Sequence, residues 1–243
     1  MKQENAIEVL DVRLTYKCMK RVSLRKALFS RNKNRVDTHE ALRGVSFELK
    51  KGEIMGIVGK NGSGKSTLLR AIAGIFSPDS GTIDLATESV SLLSIGVGFK
   101  PNISGRENII LSGMLLGFSE QEVREKMDEI IAFADLGKFI DMPVKSYSSG
   151  MHSKLAFSIT AVLETDIMLV DEVLSVGDEK FKKKSYAKMK KLIADENRTV
   201  IIVSHNSKML QELCNSLLWL HDGEVKMQGN TEEVLREYER FMT

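Results

Sequence analysis

Cysteine is nearly missing from this chain of 243 residues: Cys18 and Cys214 stand alone and form no spacing motif. That argues against a disulfide framework and leaves both thiols as expected packing residues of a reducing compartment. Long apolar runs are missing as well. No stretch approaches the ~18 residues needed to cross a bilayer, and Met1-Lys2-Gln3-Glu4-Asn5 has no apolar leader core. The expected location is therefore the cytosol, or the inner face of a membrane through a partner. Excess charge is small, +2 from 35 basic and 33 acidic residues, so nothing global points to nucleic acid as a partner. Internal repeats and low-complexity linkers are also lacking. What is left, 42% hydrophobic and 28% charged residues, is ordinary for a soluble protein. The length suits one α/β domain with a helical insertion.

The chemistry concentrates in four short stretches. Gly59-Lys60-Asn61-Gly62-Ser63-Gly64-Lys65-Ser66-Thr67 reads as a phosphate-cradling P-loop. Ile54-Met55-Gly56-Ile57-Val58 before it reads as a buried parallel strand, and Thr67 to Ala73 after it as a helix. Glycines at 59, 62 and 64 let backbone N–H groups close on phosphates, and the helix start adds partial positive charge. Lys65 is expected to reach the β- and γ-phosphates of a nucleoside triphosphate, and the Ser66 hydroxyl to ligate Mg²⁺. Further on, Ile167-Met168-Leu169-Val170 is a second buried strand that ends in Asp171-Glu172. Two acids there are costly unless a cation or a reaction needs them. Asp171 fits a Mg²⁺ carboxylate, and Glu172 a general base for the attacking water. His205 follows a third apolar strand, Val200 to Val203. Finally, Tyr147-Ser148-Ser149-Gly150-Met151 precedes a helical stretch, Met151 to Leu163. It offers free N–H groups at a helix start with no lysine of its own.

In this order the four elements resemble the ATPase subunit of an ATP-binding-cassette (ABC) transporter, over roughly residues 7–226. The resemblance implies an α/β fold: a P-loop sheet flanked by helices, an N-terminal antiparallel β-subdomain and a helical subdomain at about 98–165. It implies that His205 contacts the γ-phosphate and that Tyr16 stacks on adenine. It makes Gly59, Asn61, Gly62, Ser63, Gly64, Lys65, Ser66 and Thr67 the nucleotide-binding loop. Ser148, Ser149 and Gly150 then match the family's signature, written LSGGQ there and YSSGM here, which faces the γ-phosphate held by a second subunit. One P-loop and one signature per chain imply a head-to-tail homodimer. Ser175-Val176-Gly177-Asp178 stands where the family's D-loop crosses that interface.

Departures from the family pattern narrow the reading. Residues 89–106 hold no glutamine, whereas most members carry one there; alignment on Glu107-Asn108 puts the polar residue of that loop near Ser94. Together with YSSGM and Leu174 to Asp178, this segment resembles the polysaccharide-exporter branch, which serves teichoic-acid or O-antigen export. Its partners would be integral-membrane permease subunits, its cargo a lipid-linked polysaccharide, and its place the cytoplasmic face of the bacterial plasma membrane, as a peripheral subunit. Residues 17–39 form a basic insertion: Lys17, Lys20, Arg21, Arg25, Lys26, Arg31, Lys33 and Arg35, with no acid between Tyr16 and Val36. Such a stretch suits anionic lipid, a pyrophosphate-linked substrate or plain solvent. The lysine run Lys180 to Lys191 reads as a solvated helix face. Ser119 and Glu122 are expected to form a capping box, and Asn230 to cap a closing helix to Met242. An exporter with other cargo, a non-transport ABC protein and a P-loop kinase remain the alternatives.

Overall fold

The computed structural model describes residues 4–18, 37–86, 88–93, 98–171, 178–193, 195 and 198–242. Glu172, Ser94, Ser175 to Gly177 and most of the basic insertion lie outside the described residues.

Two sheets carry the fold. Strands β1 (Asn5–Cys18), β2 (Asp37–Lys50) and β4 (Ser80–Asp84) form an antiparallel sheet in the order β2-β1-β4. The larger sheet has six strands, in the order β5-β6-β7-β3-β8-β9. Its members are β3 (Ile54–Val58), β5 (Val90–Leu93), β6 (Ile167–Asp171), β7 (Thr199–Val203), β8 (Ser216–His221) and β9 (Glu224–Asn230). Among the described residues of this sheet only the β8–β9 pair is antiparallel. The near-continuous apolar runs of the inner strands follow from burial on both faces. Ile201 and Val203 of β7 enter one core with Met55, Ile57 and Leu68, while Val200 and Ile202 enter a second core on the other side. This is the mixed sheet and antiparallel subdomain that the sequence implies.

β1 does not alternate strictly. Val9 and Val12 are both buried, Leu10 is 48% exposed, and Asp11 takes a positive φ of 45°. The register shifts between Val9 and Val12, as a β-bulge requires. Tyr16 lies within the strand. It pairs with His39, and the strands continue to Cys18 opposite Asp37. Residues at both ends of the expected insertion therefore belong to the sheet.

The remaining helices are α1 (Lys65–Ile72), α2 (Gly105–Leu115), α3 (Glu120–Ala134), α4 (Ser149–Leu163), α5 (Glu179–Ile193), α6 (Ser207–Leu213) and α7 (Thr231–Met242). Helices α2, α3 and α4 share a third core built on Ile109, Val123, Ile130, Leu155 and Ile159. Ser119 and Glu122 make the expected capping box on α3, and Ser104 with Glu107 repeats it on α2. The Asn230 side chain accepts from the Glu232 amide at 3.0 Å, as a cap of α7 should.

The lysine run on α5 is more than a solvated face. Lys184 Nζ donates to the carbonyls of Ala132 and Phe133, the last turn of α3, and lies 4.3 Å from the Phe133 ring centre. Lys188 pairs with Glu164 at 3.2 Å and Lys190 with Glu212 at 2.6 Å. A helix C-terminus leaves carbonyls without amide partners, so it draws ammonium groups whose stems cover apolar surface on the way.

Candidate functional site

The phosphate loop emerges from β3, the strand between β7 and β8. It reaches α1 through Gly64, whose φ of 101° puts it in the left-handed region. No side chain caps α1 and no acid sits in its first turn, so its leading amides are available to an anion. A Cβ on Gly59 would fall 2.2 Å from the Leu220 carbonyl oxygen, which explains glycine at the loop's first position.

A recess of about 230 Å³ opens over this loop. Asn61, Gly62, Gly64, Lys65, Ser66 and Thr67 line it together with Tyr16, His39, Val203 and His205. Three distant chain segments thus converge at the carboxyl ends of parallel strands, where open α/β sheets take their ligands. Lys65 is buried, and its ammonium donates to the carbonyls of Gly59 and Lys60 at 2.7 and 2.9 Å. The Ser66 hydroxyl donates to Asp171 Oδ1 at 3.2 Å. Asp171 pairs with Val203 across β6 and β7, so His205 leaves the sheet one strand away. The Tyr16 hydroxyl shares a 3.1 Å hydrogen bond with Thr67, and its ring meets Phe76 edge-on at 5.8 Å. Gly59, Lys60 and Ser63 of the loop do not line the recess. The Ser63 side chain is buried, which leaves its backbone as the part that could face a ligand.

Among the described residues no group of three or more His, Cys, Asp or Glu could hold an ion by itself. The Ser66–Asp171 oxygen pair suits a hard cation that takes one or two protein ligands and completes its shell from phosphates and water, the habit of Mg²⁺. The residues present therefore fit Mg²⁺ held jointly with a nucleotide.

The stretch Tyr147 to Met151 is built at the start of α4, and none of its residues lines the recess. Ser148 caps α4 by accepting from the Met151 amide at 3.2 Å, so the helix starts at Ser149, two residues earlier than the sequence suggests. The first turn absorbs Ser149 and Gly150 once Ser148 supplies the cap. Tyr147 anchors the motif: its hydroxyl donates to the Phe139 carbonyl at 2.8 Å, and a Cβ on Gly105 would strike that hydroxyl. Burial, with Asp141 nearby, raises the Tyr147 pKa and keeps it a donor. Sequence reasoning missed two further residues here, His152 and Lys154. The His152 ring lies 4.7 Å from that of Phe99, tilted by 53°, and burial lowers its pKa. Lys154 pairs with Asp178 at 2.6 Å. Asp178 also accepts from the Phe181 amide at 2.9 Å; the Lys154 hydrogen bond first, and that amide second, hold its carboxyl below the ordinary carboxylate range. The end of the expected D-loop is thereby tied to the signature helix of the same chain.

A phosphate loop between strand and helix, with a carboxylate and a histidine on neighbouring strand ends, defines a P-loop nucleotide-binding protein. The chain belongs to the ABC transporter family, whose pattern matches residues 42–175. It is 46% identical over 198 residues to the O-antigen export system ATP-binding protein RfbB of Myxococcus xanthus, covering 82% of this chain and 45% of that one. It is 45% identical over 217 residues to the teichoic acids export ATP-binding protein TagH of Lactococcus lactis subsp. lactis (strain IL1403), covering 89% and 46%. For TagH of Staphylococcus haemolyticus (strain JCSC1435) the identity is 42% over 219 residues, covering 90% and 81%. The chain thus spans less than half the length of the first two. A solved dimeric post-hydrolysis state of the ATP-binding cassette MJ0796, bound to ADP and Pi, shares the fold with a TM-score of 0.70 at 22% identity, covering 93% of this chain and 98% of that one. No helix among the described residues is long and apolar enough to cross a membrane.

Proposed function

We propose that this chain, read as a single ABC ATPase domain, hydrolyses ATP with Mg²⁺ and couples that cycle to export of a lipid-linked polysaccharide through a separate membrane permease. The observation that carries the ATPase reading is the convergence of Lys65, Ser66 and His205 on one recess, with Asp171 hydrogen-bonded to Ser66. The loop amides and the start of α1 bind the phosphates, and Lys65 exchanges its two loop carbonyls for phosphate oxygens. Bound Mg²⁺ supplies charge neutralisation on the phosphates; Ser66 and Asp171 would hold it. Glu172, next along the chain from Asp171, takes the proton of the attacking water. His205, which lines the recess, would contact the γ-phosphate. Tyr16, already hydrogen-bonded to Thr67, forms the wall for the base.

Ser148, Ser149 and Gly150 begin α4 and are not among the residues that line this recess. A head-to-tail second copy supplies them to the other subunit's phosphates. The cargo reading rests on the similarity to RfbB and TagH, and the working place is the cytoplasmic face of the bacterial plasma membrane.

Glu172→Gln tests the catalytic half. Loss of a general base costs roughly 10²–10⁴ in rate, while ATP binding stays because the loop is untouched. A variant that turns over at the wild-type rate removes Glu172 from the mechanism. Co-purification with a permease, and ATP-driven export of labelled polysaccharide from vesicles, tests the transport half.

A further inference from the structure

The closing helix touches the phosphate loop, and nothing in the catalytic scheme above uses that contact. Phe241 of α7 packs on Trp219 at 5.1 Å and on His221 at 4.9 Å, both on β8. Two ammonium groups share its ring: Lys226 lies 3.9 Å from the centre and Lys60, the second residue of the phosphate loop, 5.1 Å. Both distances fall within reach of a ring quadrupole.

The backbone beneath is continuous with the site. Trp219 pairs with Val58, the residue before the loop. The β8–β9 turn supports the loop from behind, with the Gly223 amide donating to the Ser63 carbonyl at 3.1 Å. The Ser63 amide in turn donates to the Lys60 carbonyl at 3.1 Å. That same Lys60 carbonyl accepts from Lys65 Nζ at 2.9 Å. A line therefore runs from the Phe241 face to the Lys60 side chain, through the Lys60 backbone, to the ammonium that must meet the phosphates.

We propose that Phe241 is a positioning residue for the phosphate loop: it holds the Lys60 ammonium on its ring and so fixes the turn that presents Lys65. The proposal rests on the reading of this loop as the ATP site. It makes α7 part of the nucleotide-binding apparatus and makes nucleotide affinity sensitive to where α7 lies.

The test uses the full chain, with phosphate release titrated in MgATP and equilibrium binding of a fluorescent ATP analogue. Phe241→Leu keeps apolar cover on Trp219 and removes the aromatic face. Lys60→Met keeps length and removes charge. A cation–ring contact at an exposed site corresponds to a factor of about 2–5. Each variant should raise KM and the analogue Kd by about that factor and leave kcat within about twofold. Phe241→Trp, which keeps a face for the cation, should behave as wild type. The double variant should be no worse than either single one, because both remove the same contact. Effects that multiply in the double variant, or an unchanged KM in Phe241→Leu, overturn the proposal. Should Phe241→Leu fail to fold, Lys60→Met at its exposed position still decides, since an unchanged KM there overturns it too. A wild-type chain that neither binds nor hydrolyses MgATP would instead refute the ATP reading itself.

Discussion

Gly62→Ala and Gly64→Ala form a matched pair that separates two reasons for glycine in the phosphate loop. Both residues have positive φ, 82° and 101°. Alanine pays a backbone strain on the order of 1–3 kcal/mol in such conformations, and that cost is common to both variants. Their surroundings differ. A Cβ on Gly62 meets nothing within 4 Å, whereas on Gly64 it would lie 2.5 Å from the Ala41 carbonyl oxygen and 3.1 Å from a Leu42 methyl. The carbonyl belongs to β2 and cannot swing aside as a side chain would. Overpacking of this kind costs roughly 1–3 kcal/mol. At about 2–4 °C per kcal/mol for a chain of this size, Gly64→Ala should melt about 2–12 °C below Gly62→Ala. Thermal unfolding followed by circular dichroism measures the difference. Repeating the melts with MgATP reads the site, because a ligand at about a hundred times its Kd adds roughly 2.7 kcal/mol to the folded state. Both variants should lose part of that rise, since both disturb the amides that face the phosphates. If Gly64→Ala melts at or above Gly62→Ala, the close approach of β2 to the loop is not what demands glycine at that position.

Mixed dimers test the composite site. Lys65→Ala and Ser148→Arg chains should each be inactive alone, and mixing them should restore part of the hydrolysis, because one site then carries both lesions and the other neither. Full activity of Ser148→Arg by itself would sink the head-to-tail arrangement. Asp178→Asn tests the tie between D-loop and signature helix by its pH dependence. A carboxyl whose folded pKa is depressed contributes stability above its unfolded value, about 3.9, and loses it as pH falls through the lower folded value. The variant should therefore melt below wild type at pH 7, with the gap closing in acid; a gap that stays constant into acid would mean that Asp178 acts through packing and not through its charge.

The parts of this molecule legible in the sequence are those whose signals are contiguous along the chain. Ile54 to Val58, the loop after it and the strand ending at Asp171 each announce themselves within a dozen residues, because strand burial and phosphate binding impose local composition. The Ser119–Glu122 capping box is local in the same sense, and it is found as read. A bulge at Asp11 is not legible, since the flanking apolar residues look like ordinary alternation until Ser46 on the neighbouring strand accepts the Asp11 amide at 2.8 Å. The lysines of α5 illustrate a different limit. Their number suggested solvent, yet what decides their role is a helix end at Ala132 and Phe133, some fifty residues earlier in the chain. The same holds for Tyr147, whose partner carbonyl at Phe139 is set by a 3₁₀ turn, Gly137–Asp141, that carries no motif. Lys60 and Phe241 are the extreme case. A lysine inside a P-loop reads as part of the phosphate motif, and a phenylalanine near the end of an amphipathic helix reads as packing. Only the pairing of Trp219 with Val58 places β8, and with it α7, against the loop. Motifs name the groups that meet the ligand; the groups that hold those in place are chosen by which strands are neighbours, and strand order is a property of the whole sheet.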